Sequence, residues 1–127
     1  MRYLLDTHTF LWSCDDSDKL SHTARKIINS MDEQKYISVA SIWEFSIKYS
    51  TGKLIFEGGL SRLYEIVLQY NLTILPIRKS YLTYLIDLPF IHRDPFDRLL
   101  IATAIADCIT ILTADENIHK YDAPSIW

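Results

Sequence analysis

Along this chain the hydrophobic positions alternate between short unbroken apolar runs and longer stretches with helical spacing. The runs RYLL (2–5), YISVA (36–40), LTILPI (72–77) and ITILT (109–113) are too short for helices and read as strands. Helical patterns lie between them. DTHTFLWSC reads as a turn into a helix, and LSHTARKIINSMDE (20–33) spaces Ala24, Ile27, Ile28 and Met31 helically behind a Ser21 cap. SIWEFSIKYSTGK (41–53) predicts a helix capped by Ser41 and stopped by Gly52. LSRLYEIVLQYN (60–71) is amphipathic, with Leu60, Leu63, Val67 and Tyr70 or their neighbours turned inward. SYLTYLIDL (80–88) ends before Pro89, and a further helix runs from Pro95 to about Asp107. A short helix from about Asp115 and an edge strand in PSIW close the chain.

Strands that are continuous apolar runs, separated by helices, indicate a parallel sheet covered on both faces. The predicted fold is therefore α/β: a three-layer α/β/α sandwich with a mainly parallel sheet and right-handed crossovers. With 127 residues and no linker, repeat or low-complexity segment, a single domain over 1–127 is expected. In such sheets ligands bind beyond the carboxyl ends of the strands, where strand order reverses.

Composition narrows the class. Hydrophobic residues at 49% and charged residues at 23% describe a soluble globular protein and exclude a disordered one. The net charge of −3 argues against a basic nucleic-acid coat protein but not against an enzyme whose clustered acids hold cations. Asp6 falls too early for a signal-peptide apolar region, and LLIATAIADCITILTA is interrupted by Asp107 and too short to span a bilayer. Cys14 and Cys108 form neither a CxxC pair nor a zinc spacing. A cytoplasmic protein with reduced thiols is expected.

Isolated acids recur at the predicted strand ends. Asp6 follows the first strand, Glu44 lies in about the first turn after the second, Asp97 opens the helix behind Asp94 and Pro95, and Asp115 follows ITILT. Taken singly, Asp6, Asp94 and Asp115 are accounted for as helix caps, worth about 1 kcal/mol each, and Asp97 by the helix dipole. Glu44, set among Ile42, Trp43, Phe45 and Ile47, needs a partner. Taken together, carboxylates converging on one sheet edge raise one another's pKa, and a divalent cation removes that penalty. Oxygen-only ligands favour Mg²⁺ or Mn²⁺ over zinc, and the chemistry anticipated is metal-assisted phosphodiester hydrolysis.

LLDTH, SIWE, HRDPFDRLLIATA and ILTAD together resemble the PIN domain. More narrowly they look like the VapC-type ribonuclease toxins of bacterial toxin–antitoxin pairs, in a subgroup with an HxDPFDR signature. The resemblance spans nearly the whole chain in order. It implies that Asp6, Glu44, Asp97 and Asp115 are the four acidic metal positions, with Asp6 and Asp97 the most direct ligands. It also implies an RNA substrate, an antitoxin partner whose tail blocks the site, and homodimerisation. His8 stands where the wider family has asparagine. From another class comes a non-catalytic Mg²⁺-binding acidic pocket, as in a phosphoryl-accepting signalling domain. That reading wants paired acids after the first strand and a lysine after a late one, whereas Asp6 stands alone and ITILTAD ends in an acid.

Other residues are assigned smaller parts. Thr7 and Ser41 could hydrogen-bond a ligand carboxylate. Arg98, turned about 100° from Asp97 on the helix, is expected to pair elsewhere, and Arg93 is equally open. His8, His22, His92 and His119 lack zinc-site spacing and read as surface or capping residues. CDDSD (14–18) reads as a solvated turn. Most of the tryptophans and tyrosines are expected in the core or at an interface.

Overall fold

The computed structural model describes residues 1–127. The chain runs β1 (Arg2–Leu5), α1 (Thr7–Cys14), α2 (His22–Asn29), β2 (Gln34–Ser38), α3 (Val39–Ser50), α4 (Gly59–Gln69) and β3 (Leu72–Leu75). It continues through α5 (Lys79–Asp87), α6 (Pro95–Asp107), β4 (Thr110–Leu112), α7 (Glu116–His119) and β5 (Ser125–Ile126). The sheet has strand order β3-β2-β1-β4-β5 and every pairing is parallel. The predicted fold class is observed, including the edge strand in PSIW.

Alternation along β1 explains its unbroken apolar run. Tyr3 and Leu5 point into one core with Phe10, Ile28, Ile37, Phe45 and Leu63. Leu4 points to the other face, against Leu75, Leu100 and Ile109. Both faces are dry, so neither parity can be polar. Each fully buried Leu or Ile stabilises the fold by roughly 1.5–3 kcal/mol.

One helix start differs from expectation. The second strand ends at Ser38, whose hydroxyl accepts from Ala40 N at 3.0 Å and caps α3. Ser41 therefore lies inside the helix, and Glu44 falls in its second turn rather than its first. The β-branched Val39 made the strand look longer than it is. A capping serine ends it because the cap residue keeps extended dihedrals while its side chain starts the helix. Ser21, by contrast, caps α2 as expected, accepting from Ala24 N.

Both cysteines are free. Burial pushes the Cys14 thiol up to about 12, so thiolate is scarce there at neutral pH. Cys108, which ends α6 with a left-handed backbone (φ 55°), is exposed. Iodoacetamide should alkylate Cys108 at least about tenfold faster than Cys14 in the native protein, as read by mass spectrometry of peptides. Equal labelling would show that α1 opens readily.

Candidate metal centre

Strand order reverses between β1 and β4, which lie side by side with β2 and β3 on one flank and β5 on the other. Beyond their carboxyl ends lies a cavity of about 230 Å³ lined by Asp6, His8, Trp12, Ala114 and Asp115. This is where a doubly wound sheet is expected to bind its ligand. A larger cavity of about 370 Å³, lined by Tyr3, His22, Lys26 and Glu33 among others, lies away from the clustered acids.

Asp6 is the residue after β1 and is buried. Its Oδ1 accepts from Thr9 N at 2.8 Å, capping α1, and its Oδ2 accepts from the Thr113 hydroxyl. Thr113 Oγ1 in turn accepts from Asp115 N at 3.0 Å, so one threonine ties the ends of β1 and β4 together. Asp115 caps the short α7 through Asn117 N at 2.8 Å. Capping and crevice placement are thus compatible for both acids. A cap uses one carboxylate oxygen.

Glu44 is buried on α3 and does have partners. Thr7 Oγ1 donates to its Oε1 at 2.7 Å, and Lys48 Nζ, one helical turn on, donates to its Oε2 at 2.8 Å. Asp94 caps α6, accepting from Phe96 N at 2.9 Å and Asp97 N at 3.1 Å. That leaves Asp97 at the third helical position, with Oδ2 3.3 Å from His92 Nε2.

Electrostatics join the separate segments. Burial, followed by the charges of Asp94, Asp115, Asp6 and Glu44, lifts the Asp97 carboxyl to about 8. Three acids from distant parts of the chain, Asp6, Glu44 and Asp115, together with the neighbouring Asp94, therefore lie within electrostatic range of Asp97. Burial also raises Asp6, offset in part by its hydrogen bonds from Thr113 and Thr9 and by the charge of His8. No three His, Cys, Asp or Glu groups stand close enough to close on one ion as they are. Each acid is instead held by a local donor. Carboxylate oxygens alone, with a surplus of negative charge, suit a hard divalent cation. Ser41, three residues before Glu44, adds a buried hydroxyl with no hydrogen-bond partner.

Some expectations need correction. His92 is not a surface histidine: its side chain is 13% exposed and lies between Asp97 and Tyr121. His119 bridges Ser125 Oγ and the Thr113 carbonyl, at 2.7 and 2.8 Å. Arg98 turns away from Asp97, but its partners are the Leu88 and Pro89 carbonyls and the Tyr121 hydroxyl rather than a carboxylate. Sequence reasoning gave no part to Thr113, Lys48 or Tyr121. Thr113 and Lys48 carried a local signal, standing two residues before Asp115 and four after Glu44. Tyr121 carried none, because only the fold brings it to His92.

A doubly wound parallel α/β domain with an acidic crevice at its switch point defines the class of protein. The chain belongs to the PIN domain family, which it matches over residues 3–124. No curated protein matches it significantly. Among solved structures, a chain from VapBC2 of Rickettsia felis bound to a promoter DNA fragment is similar over 100% of this chain and 99% of that one. Its TM-score is 0.74 at 17% identity. A chain from VapBC-1 of nontypeable Haemophilus influenzae gives 0.72 at 13% identity, covering 99% of this chain and 97% of that one. FitAcB from Neisseria gonorrhoeae gives 0.65 at 17%, covering 98% and 96%. At these identities the likeness speaks for the fold.

Proposed function

We propose that this chain is a Mg²⁺-dependent endoribonuclease and the toxin of a toxin–antitoxin pair. The observation that carries the reading is that Asp6 and Asp115, 109 positions apart and tied through Thr113, line one cavity beyond the ends of β1 and β4, with Asp97 and Glu44 in electrostatic range. Membership of the PIN family supports it, as does a fold shared along nearly the full length with proteins crystallised as VapBC complexes. Asp6 and Asp97 would hold Mg²⁺ or Mn²⁺ most directly, with Glu44 and Asp115 completing the site or acting through water. A bound cation would acidify a coordinated water and offset charge developing on the phosphodiester.

The chain's own residues prepare for that chemistry. Thr113 orients Asp6 and holds the Asp115 backbone, so the two strand ends keep a fixed spacing. Thr7 and Lys48 each donate to one oxygen of Glu44, which satisfies its carboxylate in a buried setting. No serine, cysteine or histidine nucleophile is needed, and the raised Cys14 thiol offers none. An antitoxin would act by covering the crevice. Exposed Leu68, Ile86 and Phe90 offer apolar surface for such a partner or for a second copy of the chain.

The test is cleavage of a mixed RNA pool by the purified chain, with and without Mg²⁺. Cleavage should vanish with chelator, return with Mg²⁺ or Mn²⁺, and fall at least about 10³-fold in Asp6→Asn. Mg²⁺ binding by calorimetry without any RNA cleavage would favour a non-catalytic pocket instead.

A further inference from the structure

Behind Asp97 lies a buried polar chain that none of the four acids explains. Arg98 is 5% exposed and has no carboxylate partner within salt-bridge range. Its guanidinium packs on the Phe90 ring, 4.1 Å from the centroid. It donates to the Pro89 carbonyl at 2.8 Å, the Leu88 carbonyl at 3.3 Å and the Tyr121 hydroxyl at 3.0 Å. Burying an unpaired guanidinium is costly, so the segment leading from α5 to α6 is built around it.

The Tyr121 hydroxyl sits at the junction. It accepts from Arg98 and from the backbone N–H of His92 at 3.2 Å. A hydroxyl has two lone pairs, and these two donors take both. Its own proton must then go to an acceptor, either His92 Nδ1 at 2.8 Å or the His92 carbonyl at 3.3 Å. The shorter contact is Nδ1. An Nδ1 that accepts leaves the ring proton on Nε2, which lies 3.3 Å from Asp97 Oδ2. Donation therefore runs in one direction, from Arg98 to Tyr121, to His92, to Asp97.

We infer that Arg98 and Tyr121 act through His92 as positioning residues, fixing its tautomer so that Nε2–H orients the Asp97 carboxylate toward a divalent cation. This rests on the proposed reading of Asp97 as a cation ligand. The relay occupies Oδ2 and leaves Oδ1 for the ion. It also gives the HRDPFDR segment a physical meaning: Asp94 starts the helix, Asp97 is the ligand, and His92 and Arg98 hold it. Hydrogen-bonded partners behind metal ligands are worth about 10–100-fold in affinity or activity.

Glutamine and asparagine separate the two ring nitrogens, because the Gln amide nitrogen reaches the place of Nε2 and the Asn amide that of Nδ1. Three variants, His92→Gln, His92→Asn and Tyr121→Phe, are compared with wild type for melting temperature, Mg²⁺ affinity and RNA cleavage. His92→Asn and Tyr121→Phe should lose about 10–100-fold in kcat and in Mg²⁺ affinity, with KM for RNA little changed. His92→Gln should recover most of both while melting like His92→Asn. In metal-free protein, ¹⁵N spectra should show the Nε2–H tautomer of His92 in wild type and a mixture in Tyr121→Phe. If wild type binds Mg²⁺ and cleaves but all three variants match it, the relay is overturned and the reading of the site stands. An Nδ1–H tautomer in wild type overturns the relay as well. If wild type has no Mg²⁺ affinity, the reading of the site fails and the relay falls with it.

Discussion

Replacing Asp97 by asparagine is expected to abolish RNA cleavage, by at least about 10³-fold, while making the metal-free protein more stable at alkaline pH. The two effects have one cause. Asp97 is half-buried, and its partial desolvation, followed by the charges of Asp94, Asp115, Asp6 and Glu44, lifts its carboxyl from 3.8 to about 8. A group whose folded pKa is raised contributes stability that is fully present below the unfolded value and is lost as pH rises through the folded one. Wild type therefore weakens between about pH 4 and pH 8, where the unfolded chain releases the Asp97 proton that the fold retains. Asparagine has nearly the same shape and never ionises. Its melting temperature should match that of wild type below about pH 4 and exceed it by at least about 5 °C at pH 8.5. Thermal melts of both proteins across this range, in chelator, check the prediction. A destabilised Asp97→Asn at every pH would mean that the carboxylate serves the helix start and not the crevice.

Mg²⁺ should reverse that pH dependence. A cation binds the ionised acid, so below about pH 8 it must displace a proton from Asp97. Affinity should rise by about tenfold per pH unit from pH 5 to 7.5, then level off near pH 8. Asp6, also raised by burial, acts in the same direction. Saturating Mg²⁺ should add most to the melting temperature at high pH, where the metal-free acids repel one another most. Calorimetric titrations at several pH values measure the slope directly. In Asp97→Asn the slope should flatten and the affinity fall. A wild-type affinity independent of pH would place the cation elsewhere.

Much of the scaffold was legible in the residues. Apolar runs such as RYLL and ITILT read as buried strands because both faces of the sheet are covered, and the helix from Pro95 to Asp107 is bounded as its cap and proline dictate. The start of α3 was not, since Val39 suits a strand as well as a first helical turn and only the Ser38 bond to Ala40 N decides between them. Among site residues, the acids are conspicuous because single charges stand beside apolar runs. Thr113 and Lys48 were within reach of a local reading, one beside Asp115 and one a helical turn from Glu44.

His92 and Tyr121 show where such a reading stops. A histidine in a polar segment looks solvated, and a tyrosine near the end of the chain looks like ordinary core. They meet across 29 positions because α6 packs under the end of β4 and carries its leading segment there. By itself the sequence determined the parallel α/β architecture and which acids stand at strand and helix ends, because burial pattern and capping are local properties of the chain. Only the tertiary structure decided which charges feel one another and which oxygen of each acid is already taken, because those depend on distances and directions that no spacing along the chain encodes.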